Sequence, residues 1–446
     1  MASYASVPEA PLTLESADGQ RRISATRRER GLLVAVIVLG FCQWALPGAD
    51  PDVGTGSPFA NVLWGGTYVF AFAGVVAERE AAMRLMRASW PLAAVIALAF
   101  LSMTWSAEPA LTARRSIELA GSCAIALRFV CRLSLDDFVQ TLGATLAVLG
   151  AISFVAIAVV PSVGAGDDGA WQGVFDHKNA LGAAMTIGIV TVACNAARLP
   201  KGRRPLLAAT LIMFLLLLVG SKAAGAIVGA LIVVLVTAAL LATRAKWFSG
   251  GIFVILAAIV AIIGTFATLA SGLGLEDALG ALGKDSTLSG RVDVWRLVFN
   301  AIQERPILGY GYGVFWGPDK AAATLVYPGI TNHWEPESAH NGFLEVALSL
   351  GLVGEVALLF MIFIGLRRAL FFFDRTRTPL SIWPLCAMLC SITLNLSEAT
   401  FAAYGIIDWV VFTAAYLYST KAYLDNRDWS ATAANADVPA RVRFGS

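Results

Sequence analysis

The chain has 446 residues, of which 57% are hydrophobic and 14% charged, and its mean hydropathy is +0.70. Soluble domains carry roughly 25% charged residues, so the composition excludes a water-soluble globular enzyme and points to a polytopic membrane protein. The net charge of +2 gives no reason to expect a nucleic-acid partner, because in such a chain the informative quantity is where basic residues fall relative to the spans.

The first thirty or so residues are polar and end in Arg27, Arg28 and Arg30, which reads as a retained cytoplasmic tail ahead of an internal signal anchor. Apolar blocks of span length follow at 31–47, 59–77, 89–105, 116–131, 139–160, 180–197, 205–220, 224–242 and 249–271. A long polar stretch, 272–340, separates them from three more blocks at 341–366, 381–397 and 402–420. The expected fold is all-α, with about 12 transmembrane helices of about 20 residues and one large periplasmic loop subdomain containing amphipathic helices. Its parts are a basic tail (1–30), helices one to nine (31–271), the loop (272–340), helices ten to twelve (341–420) and a second cytoplasmic tail (421–446).

The loop has internal order. Ser289-Gly290 opens a segment in which Val292, Trp295, Phe299 and Ile302 recur at helical spacing until Pro306, so an amphipathic helix is expected to lie along the outer membrane surface. The next segment, Gly309-Tyr-Gly-Tyr-Gly313, follows no strand and lacks dinucleotide spacing, and it reads as a flexible turn. Glu337-Ser-Ala-His340-Asn-Gly-Phe-Leu-Glu345 then runs into the tenth block and puts His340 at a helix N-terminus. Trp171, Trp295, Tyr310, Tyr312, Phe315, Trp316 and Trp334 suit either stacking on sugar faces or an interfacial belt.

Splitting alternate loops puts 24 of the 33 basic residues on one side, which makes both termini cytoplasmic. The other nine (Arg114, Arg115, Lys178, Lys222, Lys284, Arg291, Arg296, Arg305 and Lys320) work against that bias, and all 3 histidines, His177, His333 and His340, share their side. Cations and helix N-termini around one cavity suit a phosphate or diphosphate. A lipid-linked diphosphate sugar fits them, since it carries its own leaving group and asks the protein only to stabilise departing charge and deprotonate a hydroxyl. The six cysteines, Cys42, Cys123, Cys131, Cys194, Cys386 and Cys390, read as small apolar residues. Two other readings stand beside this one. A metal-dependent transferase would use Asp50, Asp52, Asp167, Asp168 and Asp176, and a lipid-linked glycan transporter or flippase would use Glu118, Glu345, Glu355 and Asp408.

Four blocks together resemble the bacterial O-antigen ligase and polysaccharide polymerase superfamily: Phe175-Asp-His-Lys-Asn-Ala-Leu-Gly182, Leu288-Ser-Gly-Arg-Val-Asp-Val-Trp295, Pro306-Ile-Leu-Gly-Tyr-Gly-Tyr-Gly-Val-Phe-Trp316, and the run from Ala339-His-Asn-Gly-Phe-Leu-Glu345 to Gly354. The third block and Asn395-Leu-Ser-Glu398 look most like the branch that polymerises exopolysaccharide repeat units. The resemblance implies a multi-pass protein of the bacterial inner membrane, a glycosyltransferase acting on the periplasmic side. It would take glycan from undecaprenyl diphosphate without metal or other cofactor, and polymerise repeat units among other polysaccharide-assembly proteins. Ligation of the glycan to lipid A core is the alternative. By the same carry-over, Arg291, Lys178 and Lys222 would hold the diphosphate, and His340 would be the base for an inverting attack. Lysine at 222, where many relatives have arginine, replaces a two-pronged phosphate grip by a point charge. Arg114, Arg115, Glu345 and Glu398 are further candidates.

Overall fold

The computed structural model describes residues 19–42, 46, 58–166, 169–196, 200–242, 289–316, 337–403 and 405–435. The expected block 249–271, with Asp50, Asp52, Asp167, Asp168, Lys284, Lys320, His333 and Trp334, lies outside them. In chain order the helices are α1 (Gly19–Cys42), α2 (Pro58–Ala77), α3 (Arg79–Ala88), α4 (Trp90–Leu101), α5 (Pro109–Arg132), α6 (Leu135–Val159), the single turn α7 (Pro161–Gly164), α8 (Lys178–Asn195), α9 (Arg204–Gly220), α10 (Ala224–Ala242), α11 (Ser289–Glu304), α12 (Gly342–Thr376), α13 (Trp383–Leu394) and α14 (Ile407–Asn435).

Among the described residues, α2, α6, α9 with the turn before it, and α12 are long and apolar enough to cross a membrane. A fifth crossing is added if α3 and α4, bent by 90° at Ser89, count as one. Helices also occupy the remaining expected blocks within the described residues, but α10 and α13 are shorter, and α1, α5, α8 and α14 carry more polar residues along their length.

α5 packs against α2, α4 and α14, and α13 fills the space between α8, α10 and α14. Large rings fix these contacts. Phe138 meets Trp383 and Tyr418 edge-on, each at 5.6 Å, and Trp383 Nε1 donates to Thr191 Oγ1 at 3.1 Å, so the buried indole keeps its hydrogen bond. Cys123, Cys194, Cys386 and Cys390 are buried, Cys42 and Cys131 partly so, and all six are free thiols.

One end of the bundle is closed by ion pairs. Arg128, near the end of α5, donates to both carboxylate oxygens of Glu29 at 2.9 and 2.6 Å and to the Phe70 carbonyl at 2.8 Å. Its guanidinium also stacks over the Phe70 ring at 4.0 Å, in space left free by Gly74. Arg132 reaches Glu29 and Glu78, both at 3.2 Å, and Arg30–Asp137 and Arg84–Asp428 pair nearby. A charge taken out of water must be matched in this way or it costs several kcal/mol.

α12 is broken. Gly351 has φ 65° and ψ −167°, so the helical bonds from Leu352 N to Leu348 O and from Val353 N to Ser349 O cannot form. Residues 306–311 replace them. Leu352 N and Val353 N donate to the carbonyls of Pro306 and Ile307 at 2.8 and 3.3 Å, while Tyr310 N and Gly311 N donate to the carbonyls of Leu348 and Ser349, both at 3.0 Å. Gly309 and Gly351 admit this approach because a β-carbon at either would collide with the facing backbone. The Gly309–Gly313 segment is therefore not the flexible turn expected from sequence. Gly309 serves close backbone insertion into a helix, while Gly311 packs against Ser106 and Gly313 against Arg115.

A second correction concerns α11. Its buried residues are Val294, Trp295, Leu297, Val298 and Ala301, with Phe299 and Ile302 partly covered, so the apolar stripe is rotated from the expected one. It faces protein: Tyr310, Phe315, Ala339, Leu344 and Leu348 complete the cluster. Trp295, Tyr310 and Phe315 are consequently core residues rather than exposed sugar platforms, because their rings fill the space between α11, the inserted loop and α12, and Tyr312 is buried in the main core of the bundle, its hydroxyl donating to the Ala402 carbonyl.

Candidate functional site

The other end of α5 belongs to a different environment, assembled from helix starts. His177 Nδ1 accepts from Ala180 N at 3.2 Å and caps α8, which puts Lys178 in the first turn. Burial holds the His177 pKa below its ordinary 6.5, partly opposed by Asp176, and the neutral ring is the form that can accept. Gly182, one turn on, packs so tightly against the turn after α9 that a β-carbon there would come within 2.8 Å of Ala223. That turn holds Lys222 at φ 51°, the left-handed position after a helix end that glycine usually fills. Lys222 Nζ lies over Gly169, 3.7 Å from where a β-carbon would be.

The contacts continue through the loop after α13. Gly225, in the first turn of α10, sits directly on Ser397. Asn395 orders this loop: its Oδ1 accepts from Thr400 N and Phe401 N at 2.9 and 2.7 Å, and its carbonyl accepts from Gly342 N at 2.8 Å. Asn341 caps α12 by accepting from Phe343 N and Leu344 N, both at 3.0 Å, while its Nδ2 donates to the Leu396 carbonyl at 3.3 Å. The starts of α8, α10 and α12 are thus joined by direct contacts, and Lys178, Lys222, His340 and Glu398 lie on or beside them.

His340 is itself left-handed, with φ 46°, a conformation costing a non-glycine residue of order 1–2 kcal/mol. The preceding residue is held from both sides: Ala339 N donates to Glu345 Oε2 at 2.8 Å, and the Ala339 carbonyl accepts from Trp295 Nε1 at 2.9 Å. Trp316 Nε1 also donates to the Glu345 carboxylate, at 3.0 and 3.1 Å, and Arg115 acts on the same carboxylate electrostatically. Arg115 packs against Gly313, where a β-carbon would lie 2.7 Å from its Cδ. Among the described non-glycine residues with positive φ, Lys222, His340 and Ala402 are at this end, and only Arg377 caps the far end of α12.

The adjacent arginines separate. Arg115 joins the group around Glu345, whereas Arg114 pairs with Glu118 at 3.0 Å on an exposed face. Arg291 falls in the first turn of α11, four residues before Trp295. Arg305, at the other end of that helix, stacks over the Tyr310 ring at 4.8 Å. Burial and a 2.9 Å hydrogen bond to Glu304 push the Tyr310 phenol up to about 12. Glu355 and Asp408 each keep one buried carboxylate oxygen without a hydrogen-bond partner among the described residues. No group of three His, Cys, Asp or Glu side chains able to hold a metal occurs among the described residues. An Asn before an apolar run is the sign by which the Asn341 cap could have been found, and nothing in the sequence marks the way Glu345 reaches back to Ala339.

With this geometry in view, two likenesses bear on the class of protein. Residues 208–359 match the family model described as O-antigen ligase, a stretch that contains Lys222, Arg291, His340 and Glu345. Over 311 residues the chain is 26% identical to the exopolysaccharide production protein ExoQ of Rhizobium meliloti (strain 1021), covering 65% of this chain and 68% of that protein. Both agree with the motif resemblance to the O-antigen ligase and polysaccharide polymerase superfamily. They support a bacterial membrane enzyme of polysaccharide assembly, glycosyltransferase-like in character.

Proposed function

We propose that the protein is an inner-membrane glycosyltransferase with cytoplasmic termini and a periplasm-facing site, which transfers glycan from undecaprenyl diphosphate to a sugar hydroxyl and polymerises exopolysaccharide or O-antigen-type repeat units. The observation that carries this reading is the meeting of Lys178, Lys222 and His340 with the starts of α8, α10 and α12. Helix N-termini and cationic side chains favour a diphosphate. In the reaction, the acceptor oxygen bonds to the anomeric carbon as the bond from that carbon to the diphosphate oxygen breaks. The bonding pair leaves with the diphosphate, held by Lys178, Lys222 and Arg291, and the hydroxyl proton passes to His340. A single displacement of this kind inverts the anomeric centre. Because the cations take up the departing charge, transfer should persist in excess chelator.

Replacing His340 by alanine tests the assignment. Lipid-linked repeats should accumulate on the periplasmic face. Accumulation on the cytoplasmic face would defeat the reading and favour a carrier, for which Glu355 and Asp408 would be the first residues to examine. The family model's description as O-antigen ligase keeps a second reading beside this one, in which the acceptor is lipid A core. Glycan gels of a deletion strain separate the two: loss of long polysaccharide with intact lipopolysaccharide ladders supports polymerisation, and the reverse supports ligation.

A further inference from the structure

We infer that Glu345 is a positioning residue, which holds His340 in its left-handed conformation and ties that conformation to the state of the inserted loop. This rests on the reading of His340 as the base and deepens it. Three observations carry it. First, one carboxylate bridges segments distant in sequence, accepting from Ala339 N on the His340 side and from Trp316 Nε1 at the end of the inserted block. Second, Ala339 is held on its other side by Trp295 of α11, so the two peptide planes that flank Ala339 are each pinned, one to α12 and the other to α11. Third, left-handed backbone at a histidine persists only where its surroundings over-determine it, and these two bonds act there together with the 3.2 Å bond from His340 N to Ser338 Oγ.

Glu345 lies in the first turn of α12, so it reads the position of the helix start directly. Loss of the carboxylate would free Ala339 N, let His340 relax toward ordinary φ, and move the imidazole away from the acceptor. A displacement of about 1 Å at a catalytic group costs on the order of 100-fold in rate. The carboxylate need not touch substrate for this, so donor binding should be almost unaffected. Arg115, beside the same carboxylate, would respond in parallel.

The test uses the full-length protein in vesicles, with lipid-linked repeat units extracted from a strain lacking it as the probe. Glu345→Ala should lower kcat about 100-fold with KM for the probe changed less than about twofold, and should speed hydrogen exchange in the peptide spanning 337–341. Glu345→Gln retains a single side-chain carbonyl acceptor for two donors and should fall between. Adding Trp316→Phe, which removes the competing donor, should restore part of the Glu345→Gln loss. A KM rise equal to the kcat loss, unchanged exchange at 337–341, or simple additivity of Glu345→Gln with Trp316→Phe would overturn the inference. If Glu345→Ala does not fold, Glu345→Gln and its double variant still decide it. Full transfer by Glu345→Ala beside an inactive His340→Ala would sink this inference alone, whereas full transfer by His340→Ala would sink the functional reading beneath it.

Discussion

Arg128 and Arg115 lie on the same helix and meet different fates. Near one end of α5, Arg128 has a side chain only 6% exposed and gives its nitrogens to Glu29 and the Phe70 carbonyl. Near the other, Arg115 faces Gly313 and the Glu345 carboxylate that accepts from Ala339 N. At the first end, charge is matched within the chain, and the one described non-glycine residue with left-handed backbone is Arg377, a helix cap. At the second, cations cluster with helix starts, and three non-glycine residues take left-handed backbone. Matched charge holds helices together, whereas the cations at the second end are the ones to which the proposed transfer reaction gives a task.

The comparison breaks first if the paired end is not structural. Glu29→Ala strands Arg128 in a buried site and should destabilise by about 3–5 kcal/mol, read as a lower thermal midpoint in detergent, while turnover per folded molecule stays unchanged. Next, Arg291→Ala should reduce transfer by about 100-fold, as loss of one charge-stabilising donor does. Arg305→Ala should cost far less, since that guanidinium is engaged over Tyr310, and equal losses in the two would erase the distinction between the ends of α11.

Lys222 sharpens the contrast within one residue. Lys222→Gly relieves the left-handed backbone and should raise stability by about 1 kcal/mol while lowering transfer. Lys222→Arg should retain transfer, and a Lys222→Gly protein that is both less stable and fully active would contradict the role given to strain here. The smallest effect is expected at His177. With its folded pKa below the ordinary 6.5, its contribution to stability is present above that value and lost as pH falls toward the folded one. His177→Asn caps without titrating, so its thermal midpoint should fall less on acidification than that of the parent, and parallel curves would remove the cap argument.

Hydropathy made much of the helical order legible: the block at 224–242 coincides with α10, whereas the cap of α12 by Asn341 was not read from the sequence. Arg114 and Arg115 could not be told apart, because neighbours on a helix point about 100° apart and only packing decides which direction is inward. The aromatic residues of the loop misled for a related reason. Rings suited to sugars are equally suited to a core, and Trp295 is buried by partners around 339–348. The break at Gly351 was hidden too, since the sequence Gly-Leu-Val-Gly inside an apolar run looks like ordinary helix and the groups that satisfy it come from residues 306–311.

That break also sets an order of assembly. Residues 306–311 leave the ribosome before α12, and α12 cannot close its own backbone ladder at Leu348–Val353. Until the earlier segment docks, two carbonyls and two amides are stranded, at several kcal/mol each if they face lipid. The start of α12, with His340 beside it, is therefore expected to be completed only once residues 306–311 have docked. A chain cut or lengthened between Gly311 and Asn341 should still insert its other helices, yet ripen slowly or never into a competent enzyme.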